Sequence, residues 1–149
     1  GSAMSGRALP YPVPAVIAVV LRGDHVLLVR RANPPDAGLW GFPGGKIDYG
    51  ETVAAAAQRE LLEETAVAAG EVLATLDILD HDEDGSLRHH YILIAVRCIF
   101  VSGEPLAGDD ALEVRWFPVS DLDPARLPMS ADVDVIARRA LQASLDGST

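Results

Sequence analysis

Apolar positions along the chain fall into two rhythms, and these predict its elements. Ala15–Leu21 is a nearly continuous apolar run and Val26–Val29 a second. Arg22-Gly23-Asp24 between them reads as a hairpin turn, so both runs are expected to be strands. Val72–Leu79 and His90–Val101 read as another strand pair around a turn at Asp82-Glu83-Asp84-Gly85, and Leu112–Pro118 as the last strand. The second rhythm has a helical period. Val53, Ala57 and Leu61, spaced by four, mark the core-facing stripe of a helix over Val53–Glu64 with Thr52 as its N-cap. Val133, Ile136, Ala137, Ala140 and Leu141 mark a closing helix that Ser130 is expected to cap. Short strands mixed with two helices, with no internal repeat, predict a mixed sheet flanked by helices.

The intervening stretches are loops. Arg30–Gly41 is rich in Asn, Pro and Gly and ends in Leu39-Trp40-Gly41-Phe42, whose aromatics are expected to pack beside the loop that follows. That loop opens with Pro43-Gly44-Gly45 and runs through Asp48 to the first helix. Pro105–Asp110 is a second polar loop.

Composition narrows the class. The chain has 149 residues, 49% of them hydrophobic and 23% charged, which suits one globular domain. Residues 1–9 read as a cloning remnant and a loose lead-in, leaving 10–149 as that domain. No apolar run approaches the roughly 20 residues needed to span a bilayer, so no membrane association is expected. The net charge of −10 argues against nucleic acid as a partner, since phosphate backbones require basic patches. Cys98, set among Ile, Val and Phe, reads as a buried strand thiol in a reducing cytoplasm.

The candidate chemistry lies at the end of the first predicted helix. Glu60, Glu63 and Glu64 stand at i, i+3 and i+4, so their carboxylates share a face and repel by roughly 0.2–0.5 kcal/mol per pair. A hard divalent cation reverses that sign; oxygen ligands suit Mg²⁺, with Mn²⁺ as a substitute. Arg59 is placed to pair with Glu63, and Glu51 to reach it from the helix start. Two other patterns carry no site. Asp80, Asp82, Asp84 and Gly85 imitate the opening of a calcium loop, but the twelfth position is Tyr91 where a bidentate Glu is needed. His89 and His90 are adjacent near a strand start, so they point to opposite faces and do not share an ion.

Gly45, five residues, Glu51, seven residues, then Arg59-Glu60-Leu61-x-Glu63-Glu64-x-x-Val67 resembles the signature of the Nudix hydrolases, which cleave nucleoside diphosphates linked to a further group. Ala66 departs from it, standing where the signature has glycine. The resemblance implies a Nudix-type α/β/α sandwich with a mixed β-sheet and a loop-helix-loop catalytic motif. By motif position it implies Glu60 and Glu64 as principal metal ligands and Glu63 as ligand or proton acceptor. The Gly44 carbonyl completes that shell; Arg59 orients the carboxylates and Glu51 braces Arg59. A further acidic residue from a late loop serves several members, with Asp109, Asp110 and Glu113 the candidates and Asp110 preferred.

His90-Tyr91-Ile92-Leu93 and Glu113-Val114-Arg115-Trp116-Phe117 are similar to bacterial ADP-ribose pyrophosphatases. The expected substrate is therefore ADP-ribose or another nucleotide sugar. A nucleoside triphosphate pyrophosphohydrolase, including one that clears oxidised nucleotides, is the alternative. A non-catalytic nucleotide-sensing module is a reading of another class, disfavoured because the carboxylates are present. The resemblance also admits a homodimer.

Overall fold

β1 (Val13–Arg22) is the strand on which the sheet is built. A computed structural model describes residues 11–34, 36–61, 66–105, 107 and 111–146, giving only the backbone path for 66–70. Along one edge β1 runs parallel to β6 (Leu87–Phe100), from Val13 opposite Tyr91 to Leu21 opposite Ile99. Along the other it meets two strands antiparallel: β2 (His25–Arg31) at its end and β4 (Gly44–Lys46) near its beginning. β5 (Ala66–His81) pairs antiparallel with β6, β3 (Trp40–Gly41) and β7 (Ala111–Pro118) with β2. One parallel pairing among antiparallel ones makes the sheet mixed, as the element pattern predicts.

Alternation along β1 sorts the core into two layers. Val16, Ala18 and Val20 join Leu27, Val96 and Cys98 beneath α1 (Val53–Glu60), which contributes Ala56, Ala57 and, just past its end, Leu61. On the opposite face Val19 joins Val26, Leu28 and Ala95 against α2 (Val133–Asp146), through Val133, Ile136, Ala137 and Ala140. Both expected helical stripes are therefore the buried ones, and the architecture is an α/β/α sandwich. Cys98 is buried, and desolvation pushes its thiol up to about 11.

Thr52 caps α1 as its residue type demands, its hydroxyl oxygen accepting from the Ala55 N–H at 3.0 Å. The described helix is shorter than Val53–Glu64. Leu61 closes the last turn by donating to the Ala57 and Gln58 carbonyls, both at 3.2 Å, and residues 62–65 lie outside the described residues.

Two expectations are corrected, on Ser130 and on the start of β5. Ser130 does not cap α2: its hydroxyl donates to Asp36 at 2.7 Å, and the helix starts later, with the Asp132 carbonyl accepting from Ile136 N–H at 2.9 Å. Trp40 and Phe42 do pack, in the core beneath α2, with Trp40 edge-on to Phe117 at 4.9 Å between centroids. β5 begins at Ala66, ahead of the expected Val72, because pairing with β6 outweighs the weak strand propensity of an alanine-rich stretch.

Candidate active site

The candidate site is assembled where β4 lies against β1 and α1 returns over it. Gly45 faces Val16 and Gly44 faces Ile17 across the ladder. A Cβ on Gly44 would overlap the Val16 carbonyl oxygen, so the backbones meet there at a distance no side chain permits. A Cβ on Gly45 would stand 2.5 Å from Glu60 Oε1, in space the carboxylate itself fills.

The chain then turns at Asp48–Glu51, with Glu51 N–H donating to the Asp48 carbonyl at 2.9 Å and Gly50 at φ 86°. The Asp48 N–H donates back to Glu51 Oε1 at 3.0 Å. This turn aims Glu51 along the helix towards Arg59.

Arg59 ties these parts together. Its Nε donates to Glu51 Oε2 at 2.7 Å and its Nη2 to Glu51 Oε1 at 2.9 Å, a bidentate fork. Nη2 also donates to the Lys46 carbonyl at 2.9 Å, and Nη1 to Glu60 Oε1 at 3.1 Å. Asp48 adds a longer ion pair to Nη2 at 3.7 Å. The side chains of Glu51 and Glu60 are only 15% and 16% exposed and that of Arg59 31%, so these contacts act with reduced screening.

The electrostatics follow from that geometry. The Arg59 fork, helped by the Asp48 N–H, holds the Glu51 carboxyl down at about 2. Arg59 is raised in turn, chiefly by its bonds to Glu51. The outcome is a fixed cation between two carboxylates, one of which, Glu60, keeps oxygen lone pairs for another partner.

Other predicted residues fall elsewhere. Glu63, Glu64, Asp109 and Asp110 lie outside the described residues. Among those described, no group of three or more His, Cys, Asp or Glu side chains is arranged to hold a metal ion. Glu113 is bonded to Arg115 and paired with Arg30 at 3.6 Å on the β2–β7 ladder; no described contact joins it to Arg59 or Glu60. His89 bonds to Asp80 at 3.0 Å and His90 to Asp77 at 3.2 Å, so the two histidines serve different partners, as alternation predicts. Asp82 Oδ1 accepts from the N–H groups of Asp84 and Ser86, both at 3.0 Å, which makes the calcium-like sequence an ordinary side-chain-stabilised turn. Ala66 opens β5 opposite Phe100, in extended backbone that needs no glycine.

Two contributors escape a reading of residue types. The Lys46 carbonyl is a main-chain acceptor and invisible in side-chain patterns. Asp48 has a visible signal, since an Asp ahead of Tyr-Gly is a turn former, but its N–H bond to Glu51 appears only once the turn folds back. Among the described residues no helix is long and apolar enough to cross a membrane.

Comparison with known proteins agrees with this geometry. Residues 11–139 match the family described as NUDIX domain. The ADP-ribose pyrophosphatase of Methanocaldococcus jannaschii is 35% identical over 116 residues, covering 78% of this chain and 68% of that protein. The putative 8-oxo-dGTP diphosphatase 2 of Mycobacterium tuberculosis is 40% identical over 108 residues, covering 72% and 74% respectively. In three dimensions the NUDIX domain of Shewanella oneidensis NrtR, solved with ADP ribose, superposes with a TM-score of 0.66 at 26% identity, covering 90% of this chain and 89% of that one. With the family matched over most of its length and the Gly45–Glu51–Arg59–Glu60 assembly in place, the chain belongs to the Nudix hydrolase family.

Proposed function

We propose that this Nudix pyrophosphohydrolase acts on ADP-ribose or a related nucleotide sugar, splitting the diphosphate to release AMP, or the corresponding nucleoside monophosphate, and a sugar phosphate. The observation that carries the catalytic part is the Arg59 fork. It holds Glu51 and Glu60 at fixed separation beneath the glycine turn, with a carboxylate oxygen of Glu60 bonded and the remainder available. Nudix hydrolases generally need divalent cations, and the donors here fit one. Glu60 offers hard oxygen, is largely withdrawn from water, and lies against a backbone that gives it room by lacking a Cβ.

In this reading the Gly44 carbonyl, Glu60, Glu63 and Glu64 hold Mg²⁺, or Mn²⁺ in its place. The ion supplies charge neutralisation on the diphosphate and a more acidic bound water. The chain's own residues do the positioning. Glu51 fixes the plane of the Arg59 guanidinium, and Arg59 fixes the Glu60 carboxylate. Glu63 is a further ligand or accepts the water's proton, with Asp110 from the late loop as another base or ligand. Such prior orientation is worth more than any single contact, since misplacement by about 1 Å lowers rate by roughly 10²-fold.

ADP-ribose is placed first because one relative carries that name and one structural neighbour was solved with that ligand. The Mycobacterium tuberculosis relative favours a second reading, hydrolysis of an oxidised purine nucleoside triphosphate to a monophosphate and pyrophosphate. A hydrolysis panel with Mg²⁺ and with Mn²⁺ separates them, using ADP-ribose, nucleotide sugars and (deoxy)nucleoside triphosphates, with products identified by mass. ADP-ribose as the dominant, metal-dependent hit, abolished by Glu64→Gln, is the expected result. A dominant triphosphate would replace the substrate assignment. Silence across the panel with a folded, metal-binding protein would overturn the substrate assignment and point to a substrate outside the panel or to a nucleotide sensor.

A further inference from the structure

Away from the signature, the turn end of the β1–β2 hairpin holds a half-open hollow of about 270 Å³ lined by Arg22, His25 and Trp116. It lies further along β1 than Val16, which faces Gly45; at about 3.3 Å per strand residue the separation is roughly 20 Å. Arg22 is held unusually well for a surface arginine. Its guanidinium carbon stands 4.7 Å from the Phe100 ring centre and 5.8 Å from that of Trp116, and those two rings meet edge to face at 5.5 Å.

The carboxylate partner of Arg22 is loose by comparison. Glu104 approaches Nη1 only to 3.8 Å, with side chains 49% and 79% exposed, a contact of little energetic weight. The other walls are an indole and an imidazole. Trp116 Nε1 is buried with no acceptor among the described residues, and His25, tied to Asp24 at 2.8 Å through Nδ1, forms the remaining side. A guanidinium pre-set on aromatic rings in a small hollow, with a weakly bonded carboxylate at the rim, is suited to a compact oxyanion. This stands out in a chain whose net charge is −10.

We infer that the Arg22–His25–Trp116 hollow is an accessory oxyanion site, separate from the signature, that takes the phosphoryl group of a small molecule by displacing Glu104 from Arg22. The guanidinium fork supplies paired donors to the phosphoryl oxygens, and Trp116 and Phe100 hold its plane in place.

The test is a titration of the whole protein with inorganic phosphate and with phenyl phosphate, following the two indole N–H resonances by NMR. The Trp116 signal is assigned through Trp116→Phe. A saturable shift of Trp116 without a matching shift of the core indole of Trp40 is expected with at least one probe. Arg22→Gln should weaken that binding about tenfold or more, since it removes a charged donor. Glu104→Gln should tighten it about two- to fivefold by removing the competing carboxylate. No saturable Trp116 shift with either probe would overturn the proposal. So would a shift that survives Arg22→Gln in a folded variant, or an affinity that fails to rise in Glu104→Gln.

Discussion

The Glu60 carboxylate lies where a side chain on Gly45 would be, with Oε1 2.5 Å from the position of the missing Cβ. The relation between these two residues turns a backbone requirement of the loop into an orientation of the carboxylate on the helix. It also separates two adjacent glycines by consequence. Gly45→Ala pushes on the end of a flexible side chain, so folding should survive while Glu60 is displaced, and turnover should fall by about 10²-fold. Gly44→Ala pushes on the Val16 carbonyl of the central strand, where nothing swings away, and should destabilise by at least roughly 1–3 kcal/mol. Thermal melts and turnover of the two variants check the contrast; equal stability losses would refute it.

Arg59→Lys keeps the charge and loses the fork. A lysine ammonium cannot span both Glu51 oxygens, the Lys46 carbonyl and Glu60 together. The variant should lose about tenfold or more in kcat with a smaller change in KM, because what is lost is orientation rather than substrate contact. Steady-state kinetics on the preferred substrate decide it.

Glu60→Gln and Glu64→Gln should each lower turnover by orders of magnitude, and Glu60→Gln should also lower the melting temperature, because it removes the charge paired with Arg59 Nη1 at 3.1 Å. In the proposed reading both carboxylates hold the cation. Isothermal titration with Mg²⁺ should show weakened binding in both, and full activity in both variants would remove the metal assignment.

The Glu51–Arg59 pair gives a pH signature of defined sign. Glu51 titrates at about 2 in the folded chain against an ordinary value of 4.5, so its folded-state value is depressed. Its contribution to stability is complete above about 4.5 and disappears as pH falls through about 2. The melting temperature of Glu51→Gln should therefore lie below that of the unaltered chain at neutral pH, and the gap should narrow as pH drops from 4.5 towards 2. A gap independent of pH would show that the loss is packing rather than charge.

Much of this molecule could be read in advance from side-chain spacing. The two helical stripes and the strand runs name the residues that pack, because burial depends on which positions recur on one face. The signature names Glu51, Arg59 and Glu60, because metal and phosphate chemistry restrict the residue types at each place. What escaped reading was decided by partners far along the chain. The Ser130 hydroxyl bonds Asp36 across the fold in preference to its own helix, and the alanine-rich start of β5 is extended because β6 offers a ladder. The Lys46 carbonyl completes the Arg59 shell and has no side-chain signal at all.

The parallel pairing of β1 with β6 has a kinetic consequence. Val13 meets Tyr91 and Leu21 meets Ile99, so the centre of the sheet joins segments separated by more than half the chain. Closing so long a loop loses entropy before any contact returns it, which places folding towards the slower end of the range for domains of this size. The glycine turn and α1 both rest on β1, and α1 also reaches β6, so these supports come together only after that late closure. Catalytic competence should therefore return on refolding in step with formation of the central ladder, and later than the local turn and helix that carry the signature.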